Sequence, residues 1–163
     1  MSISEAKSKS NNELKVYLKS FVRGKSIKSE EISYQRFLQD KLLVTHAVKK
    51  GVPAILFNEI KTNSPFDDEQ WSNFLHINIR TLQRYKGEKS HIFKPVQSER
   101  IFELAEVISN GYEVFDNSGD FNLWLNTPSP ALANEKPIDL LDTSYGKDLV
   151  LAELNRIEHG IFV

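Results

Sequence analysis

Apolar residues recur along this chain at helical spacing, and almost nowhere at the two-residue alternation of a half-buried strand. Leu14, Tyr17, Leu18 and Phe21 fall at i, i+3, i+4 and i+7, with Gly24 as a stop. After the polar stretch Lys25 to Glu31, a second helix is predicted from about Ser33 to Lys50, with a stripe of Tyr34, Phe37, Leu38, Lys41, Leu42 and Thr45. Gly51 ends it, and Pro53 suits the first position of the next helix, through Ile60, because proline there forfeits no internal hydrogen bond. Asn63-Ser64-Pro65 reads as a turn. Asp67, Asp68 and Glu69 then put negative charge at a helix start, where it complements the helix dipole. A long helix is predicted from Pro95 to about Phe115, with Ile101, Leu104, Ala105, Ile108, Tyr112 and Phe115 as its apolar stripe. The polar run Asp116 to Asp120 is the strongest break. The fold class expected is all-α. Four segments follow: a disordered tail over 1–12, N-terminal helices over 13–50 that could serve dimerisation, a helix-turn-helix domain over 51–118, and a small helical domain over 119–163.

Residues 68–86 carry the helix-turn-helix pattern. Two short helices flank a tight turn at His76-Ile77-Asn78. Ser72 is the small residue where the helices cross, Leu75, Ile77 and Leu82 lock them together, and Asn78 can cap the second helix. His76 stands where glycine is usual, and histidine tolerates a left-handed backbone better than most side chains. The second helix would present Asn78, Ile79, Arg80, Gln83 and Arg84 outward, with Thr81 and Lys86 flanking. Arginine can donate two hydrogen bonds to a guanine edge and glutamine can pair with adenine. Lys86, Lys89 and Lys94 would meet phosphates, which give affinity rather than sequence choice. An ordinary solvated helical hairpin is the competing account of the same pattern.

Composition sharpens this picture in one respect. The 163 residues are 40% apolar and 26% charged, ordinary for a globular protein, and net charge is −1. That value hides an asymmetry: residues 1–77 carry +3, residues 78–100 carry +4, and residues 101–163 carry −8, with 11 acidic and 3 basic side chains. A basic middle and an acidic end suggest two surfaces with different partners. With no cysteine, disulfide and thiolate metal sites are excluded. No signal-peptide core or bilayer-spanning run is visible, so a cytoplasmic protein with no membrane partner is expected.

Catalytic motifs are missing. The four histidines, His46, His76, His91 and His159, are widely spaced and form no ligand motif; there is no phosphate loop and no dinucleotide fingerprint. Ser129 and Ser144 lack the setting of a nucleophile. The expectation is a protein that is not an enzyme and needs no cofactor or metal.

The remaining segment is the most distinctive. Trp124 to Leu132 reads Trp-Leu-Asn-Thr-Pro-Ser-Pro-Ala-Leu, followed by Pro137-Ile-Asp-Leu-Leu-Asp-Thr143, Gly146, and Arg156-Ile-Glu-His-Gly160. Thr143 can cap a final helix whose stripe is Leu149, Val150, Leu154 and Ile157. This segment resembles the toxin-binding domain of the Xre/MbcA/ParS-type antitoxins. The run Arg80 to Arg84 likewise resembles the family's recognition helix. The resemblance implies an Xre-like helix-turn-helix followed by a toxin-binding domain, and a type II antitoxin that represses its own operon by binding operator DNA. It implies as partner a RES-type toxin that consumes NAD, with the antitoxin a homodimer within a hetero-oligomer. Trp124, Pro128, Pro130, Leu140, Leu141, Asp142, Thr143 and Gly146 are expected to shape the domain. Arg156, Glu158, His159, Gly160, Ile161 and Phe162 are expected to reach the toxin, whose NAD cleft the family's antitoxins approach or plug. A stand-alone helix-turn-helix regulator whose C-terminal domain only dimerises it stays open, as does an interaction adaptor without DNA binding.

Overall fold

The computed structural model describes residues 12–18 and 33–161. The expectations for residues 1–11 of the tail, Phe21, Gly24 and Phe162 fall outside the described residues. Residues 12–18 are helical (α1). They are followed by α2 (Tyr34–Gln39), α3 (Lys41–Lys50), α4 (Ala54–Thr62), α5 (Asp68–Phe74), α6 (Ile79–Gly87), α7 (Pro95–Val114), α8 (Ser118–Leu125), a 3-10 turn (Pro130–Leu132), α9 (Pro137–Leu140) and α10 (Ser144–Glu158). Among the described residues the only extended pairings are isolated bridges, Pro53 with Ile92 and Ser129 with Glu135. The chain is all-α. It divides into two compact units, residues 1–102 and 103–163, with the division falling within α7.

The helix expected over 33–50 is two helices. Asp40 breaks it: its carboxylate accepts the Leu43 amide at 3.0 Å and its backbone is extended, so it closes α2 and opens α3. An aspartate at such a junction competes with the helical hydrogen bond and wins when it can cap the next segment. The break shifts the helical phase. Leu43 and Ala47 are buried, whereas Leu42, assigned to the stripe from the sequence, is 68% exposed. Pro53 sits one residue before the helix it was expected to start, as the residue preceding α4.

Unit 1 is built on aromatic contacts. The rings of Phe57, Phe66, Trp71, Phe74 and Phe93 meet mostly edge to face at 4.9–6.4 Å, an arrangement worth more than their buried area alone. The indole N–H of Trp71 donates to Ser64 Oγ at 3.0 Å, which satisfies the one polar atom of that buried ring. Ser98, fully buried, accepts the Val52 amide at 2.8 Å and donates to the Phe93 carbonyl at 3.1 Å. Tyr17 Oη lies 2.9 Å from both the Ala47 and Gly51 carbonyls, tying α1 to the end of α3.

In unit 2, Phe121, Leu125, Leu132, Ile138, Leu141, Val150 and Leu154 are buried, as are Leu104, Ala105, Val107 and Ile108 of α7. Phe121 lies so close over Gly111 that a Cβ there would overlap its ring. This pair is not among the sequence expectations. Its signal was a glycine within a long helix otherwise free of helix breakers, a sign of close packing. Leu149 is the other departure: expected in the stripe of α10, it is 55% exposed, because the buried line runs through Gly146, Val150 and Leu154 at four-residue steps.

Candidate nucleic-acid and partner-binding surfaces

The first candidate surface is α6. Asp67 caps α5 with a reciprocal capping box: its carboxylate accepts the Gln70 amide at 2.8 Å and Gln70 Oε1 accepts the Asp67 amide at 2.9 Å. The turn that follows places His76 at φ 51°, the left-handed conformation expected for it. Ser72 is buried, and its carbonyl accepts the Ile77 amide at 3.1 Å. Asn78 caps α6 by accepting the Arg80 amide at 2.8 Å. Leu75 and Leu82 are buried, and Ile77 is half-buried, so the apolar lock between the two helices forms as read.

This geometry sets what α6 offers to solvent. At about 100° per residue, Arg80, Gln83 and Arg84 share one side while Leu82 faces the core. All three, with Asn78, are exposed; Ile79 is 37% exposed and Thr81 is half-buried. Arg84 lies over the Tyr85 ring at 5.2 Å, and its contact with Glu88 at 3.9 Å is a solvated pair worth little. The far end of the helix is anchored by Tyr85, stacked on His91 at 3.5 Å, with Phe93 edge-on to both. Burial, opposed by Glu88 and reinforced by Arg84, pushes the His91 imidazole below the ordinary histidine range.

Lys86 is occupied within the protein. Its ammonium donates to both carboxylate oxygens of Asp68 at 3.1 Å, and Lys61 pairs with the same carboxylate. Lys89 is exposed. The clamp was not legible in sequence, where Asp68 reads only as a helix-start charge. The hydrogen bond from Lys61, helped by Lys86 and opposed by burial, holds Asp68 below the usual carboxylate range. Since the folded value is the lower one, the clamp's stabilisation is complete above pH about 4 and is lost as pH falls through the folded value. Urea midpoints measured from pH 6 to pH 3 are therefore expected to fall more for the wild type than for Asp68→Asn. Parallel curves would show that the clamp does not contribute.

The second candidate surface lies on unit 2. Thr143 caps α10 by accepting the Gly146 amide at 3.0 Å. Gly146 is buried, and a Cβ there would overlap the Leu140 carbonyl oxygen, so the helix crosses α9 at backbone distance. Leu141 is fully buried, Leu140 and Trp124 half-buried, and Pro128, Pro130 and Asp142 exposed. At its other end α10 closes in a Schellman motif. Gly160 takes φ 64°, its amide donates to the Ile157 carbonyl at 3.1 Å, and the Ile161 amide donates to the Arg156 carbonyl at 2.9 Å. Arg156 is half-buried and paired with Glu153 at 2.7 Å. His159 Nδ1 lies 2.7 Å from the Asn155 carbonyl, and Glu158, His159, Gly160 and Ile161 are exposed. The structure thus brings Arg156 to Ile161 together at one helix end. Phe162 lies outside the described residues. Among the described residues no helix is long and apolar enough to cross a membrane, and no group of three or more His, Asp or Glu is placed to hold a metal ion.

Comparison with known proteins meets the chain at these same two places. Residues 44–106 match the family model of the antitoxin Xre-like helix-turn-helix domain. Residues 110–160 match that of the antitoxin Xre/MbcA/ParS C-terminal toxin-binding domain. Among curated proteins, the chain is 28% identical over 124 residues to a "Prs ADP-ribosylating antitoxin" of Sphingobium sp. (strain YBL2), covering 71% of this chain and 77% of that one. It is 34% identical over 87 residues to an "Antitoxin Xre" of Yersinia enterocolitica, covering 53% and 58%. It is 28% identical over 115 residues to an "Antitoxin Xre" of Photorhabdus laumondii, covering 70% and 77%. Among solved structures, the MbcT-MbcA toxin-antitoxin complex of M. tuberculosis contains a chain of similar fold. The TM-score is 0.54 at 22% identity, covering 68% of this chain and 96% of that one.

Proposed function

The chain belongs to the Xre/MbcA/ParS-type antitoxins, and from that premise we propose that it neutralises a RES-type, NAD-consuming toxin by occluding the toxin's active site, and represses its own operon. The proposed division of labour gives residues 51–118 to DNA, residues 119–163 to the toxin, and residues 13–50 to dimerisation. The observation that carries this reading is the presence, in one chain, of an exposed arginine-bearing second helix and a family match to a toxin-binding domain. The latter favours an antitoxin over a solitary regulator.

Inhibition is steric. Arg156, Glu158, His159, Gly160, Ile161 and Phe162 enter the toxin's NAD cleft, and this chain does no chemistry. NAD is the partner's substrate and no cofactor of this protein. The name of the Sphingobium relative supports a partner with ADP-ribosylating chemistry, which consumes NAD. The acidity of unit 2 suits a basic or apolar partner surface and repels phosphates, which keeps it off DNA.

DNA is read by α6. Arg80, Gln83 and Arg84 contact base edges, with Asn78, Ile79 and Thr81 beside them. Lys89 meets phosphate, joined by Lys86 when phosphate competes with Asp68. One short helix gives limited affinity, so the protein acts as a homodimer on paired half-sites. Replacing Arg80 and Arg84 by alanine is expected to weaken operator binding by about 10–100-fold per arginine, while toxin binding is unchanged. Gel shifts at fixed salt, with co-purification of the product of the adjoining reading frame as the second readout, test both halves. Operator affinity equal to wild type would remove α6 from DNA recognition, and failure of the wild type to co-purify with the toxin would remove the antitoxin role.

A further inference from the structure

The outward face of α10 carries an apolar stripe that the core does not use. Tyr145 is 88% exposed, Leu149 is 55% exposed, and Ala152 is exposed one turn further on. At 100° per residue, positions 145, 149, 152, 156 and 159 fall within an arc of about 80°. The stripe therefore continues through Arg156 to His159 at the Schellman-closed end. The buried line of Gly146, Val150 and Leu154 lies on another side of the helix. A tyrosine and a leucine exposed one turn apart add little to the core, and tyrosine is among the residues that dominate protein interfaces.

We infer that this stripe is the surface that grips the toxin, and that holding the toxin and blocking it are separate jobs: Tyr145, Leu149 and Ala152 hold, and residues 156–161 block. The inference rests on the proposed antitoxin role and adds to it which residues supply affinity. Three observations select the toxin as occupant. The whole of α10 lies within the match to a toxin-binding domain. The stripe sits on a unit of net charge −8, so its complement is an apolar surface with a basic rim. That same charge opposes a second copy of this chain, which would bring two −8 units face to face.

The test uses the full chain and the purified product of the adjoining reading frame, with affinity measured by calorimetry and inhibition by NAD turnover. Tyr145→Ala and Leu149→Glu are each expected to weaken toxin binding by about 30-fold or more, and Leu149→Met to keep it. Deleting residues 160–163 is expected to leave binding within about 10-fold while abolishing inhibition. Both substituted side chains are exposed, so circular dichroism and melting should match the wild type. Wild-type affinity in Tyr145→Ala and Leu149→Glu would overturn the inference while leaving the antitoxin role intact. A change in the oligomeric state of the free chain, with toxin affinity kept, would make the stripe a self-interface and overturn it also. Absence of binding by the wild type would instead defeat the antitoxin reading, and the inference with it.

Discussion

Gly146→Ala is expected to destabilise the C-terminal unit by at least the ~1–3 kcal/mol that over-packing costs, and to abolish toxin binding through loss of the fold. The reason is the identity of the neighbour. The added methyl would overlap the Leu140 carbonyl oxygen, which is backbone, so no side chain can swing aside. Relief requires α10 to lift from α9, which strips contacts from Val150 and Leu154, both fully buried. It also strains the Thr143 cap, whose acceptor bonds the Gly146 amide itself. Gly87→Ala is the control, because nothing lies near its added methyl and its φ is ordinary. That change should be neutral or stabilise by up to ~1 kcal/mol through the unfolded chain. Urea unfolding of both variants checks the pair; equal midpoints would show that the close crossing is not a constraint.

Deleting residues 160–163 is expected to produce the opposite combination: an intact fold and a lost function. The deletion removes two backbone hydrogen bonds of the Schellman motif, those donated by Gly160 and Ile161, together worth about 1–2 kcal/mol. It leaves every buried position of α10 in place, since these end at Leu154. Melting temperature should fall by a few degrees at most. Toxin inhibition should vanish, because the residues removed are those proposed to fill the cleft. A truncate that neutralises as well as the full chain would move the blocking element elsewhere.

Much of the helix-turn-helix geometry was legible in the sequence because local rules decide it. The Asn78 cap, the small Ser72 and the tolerance of His76 for a left-handed turn each depend on a few neighbouring residues, and all three are present. The same locality made the Thr143 cap of α10 readable. What escaped depends on residues far apart in the chain, or on competition between two local preferences. Asp40 was hidden inside a continuous helical pattern, and the phase shift it causes turned Leu42 outward. Lys86 looked like a free phosphate ligand until Asp68, 18 residues away, claimed it. Leu149 was assigned to the core because it is apolar and near Val150. Only the packing of Gly146 on Leu140 shows which side of α10 faces inward, and so leaves Tyr145 and Leu149 outside.

The central claim is that this chain silences a toxin that consumes NAD, and cellular NAD measures it most directly. The adjoining reading frame is induced with and without this chain, and NAD is followed alongside growth. NAD and growth are expected to collapse with the toxin alone, hold at uninduced levels when the full chain is co-expressed, and collapse again when residues 160–163 are missing. An equal fall in NAD with and without the full chain would contradict it.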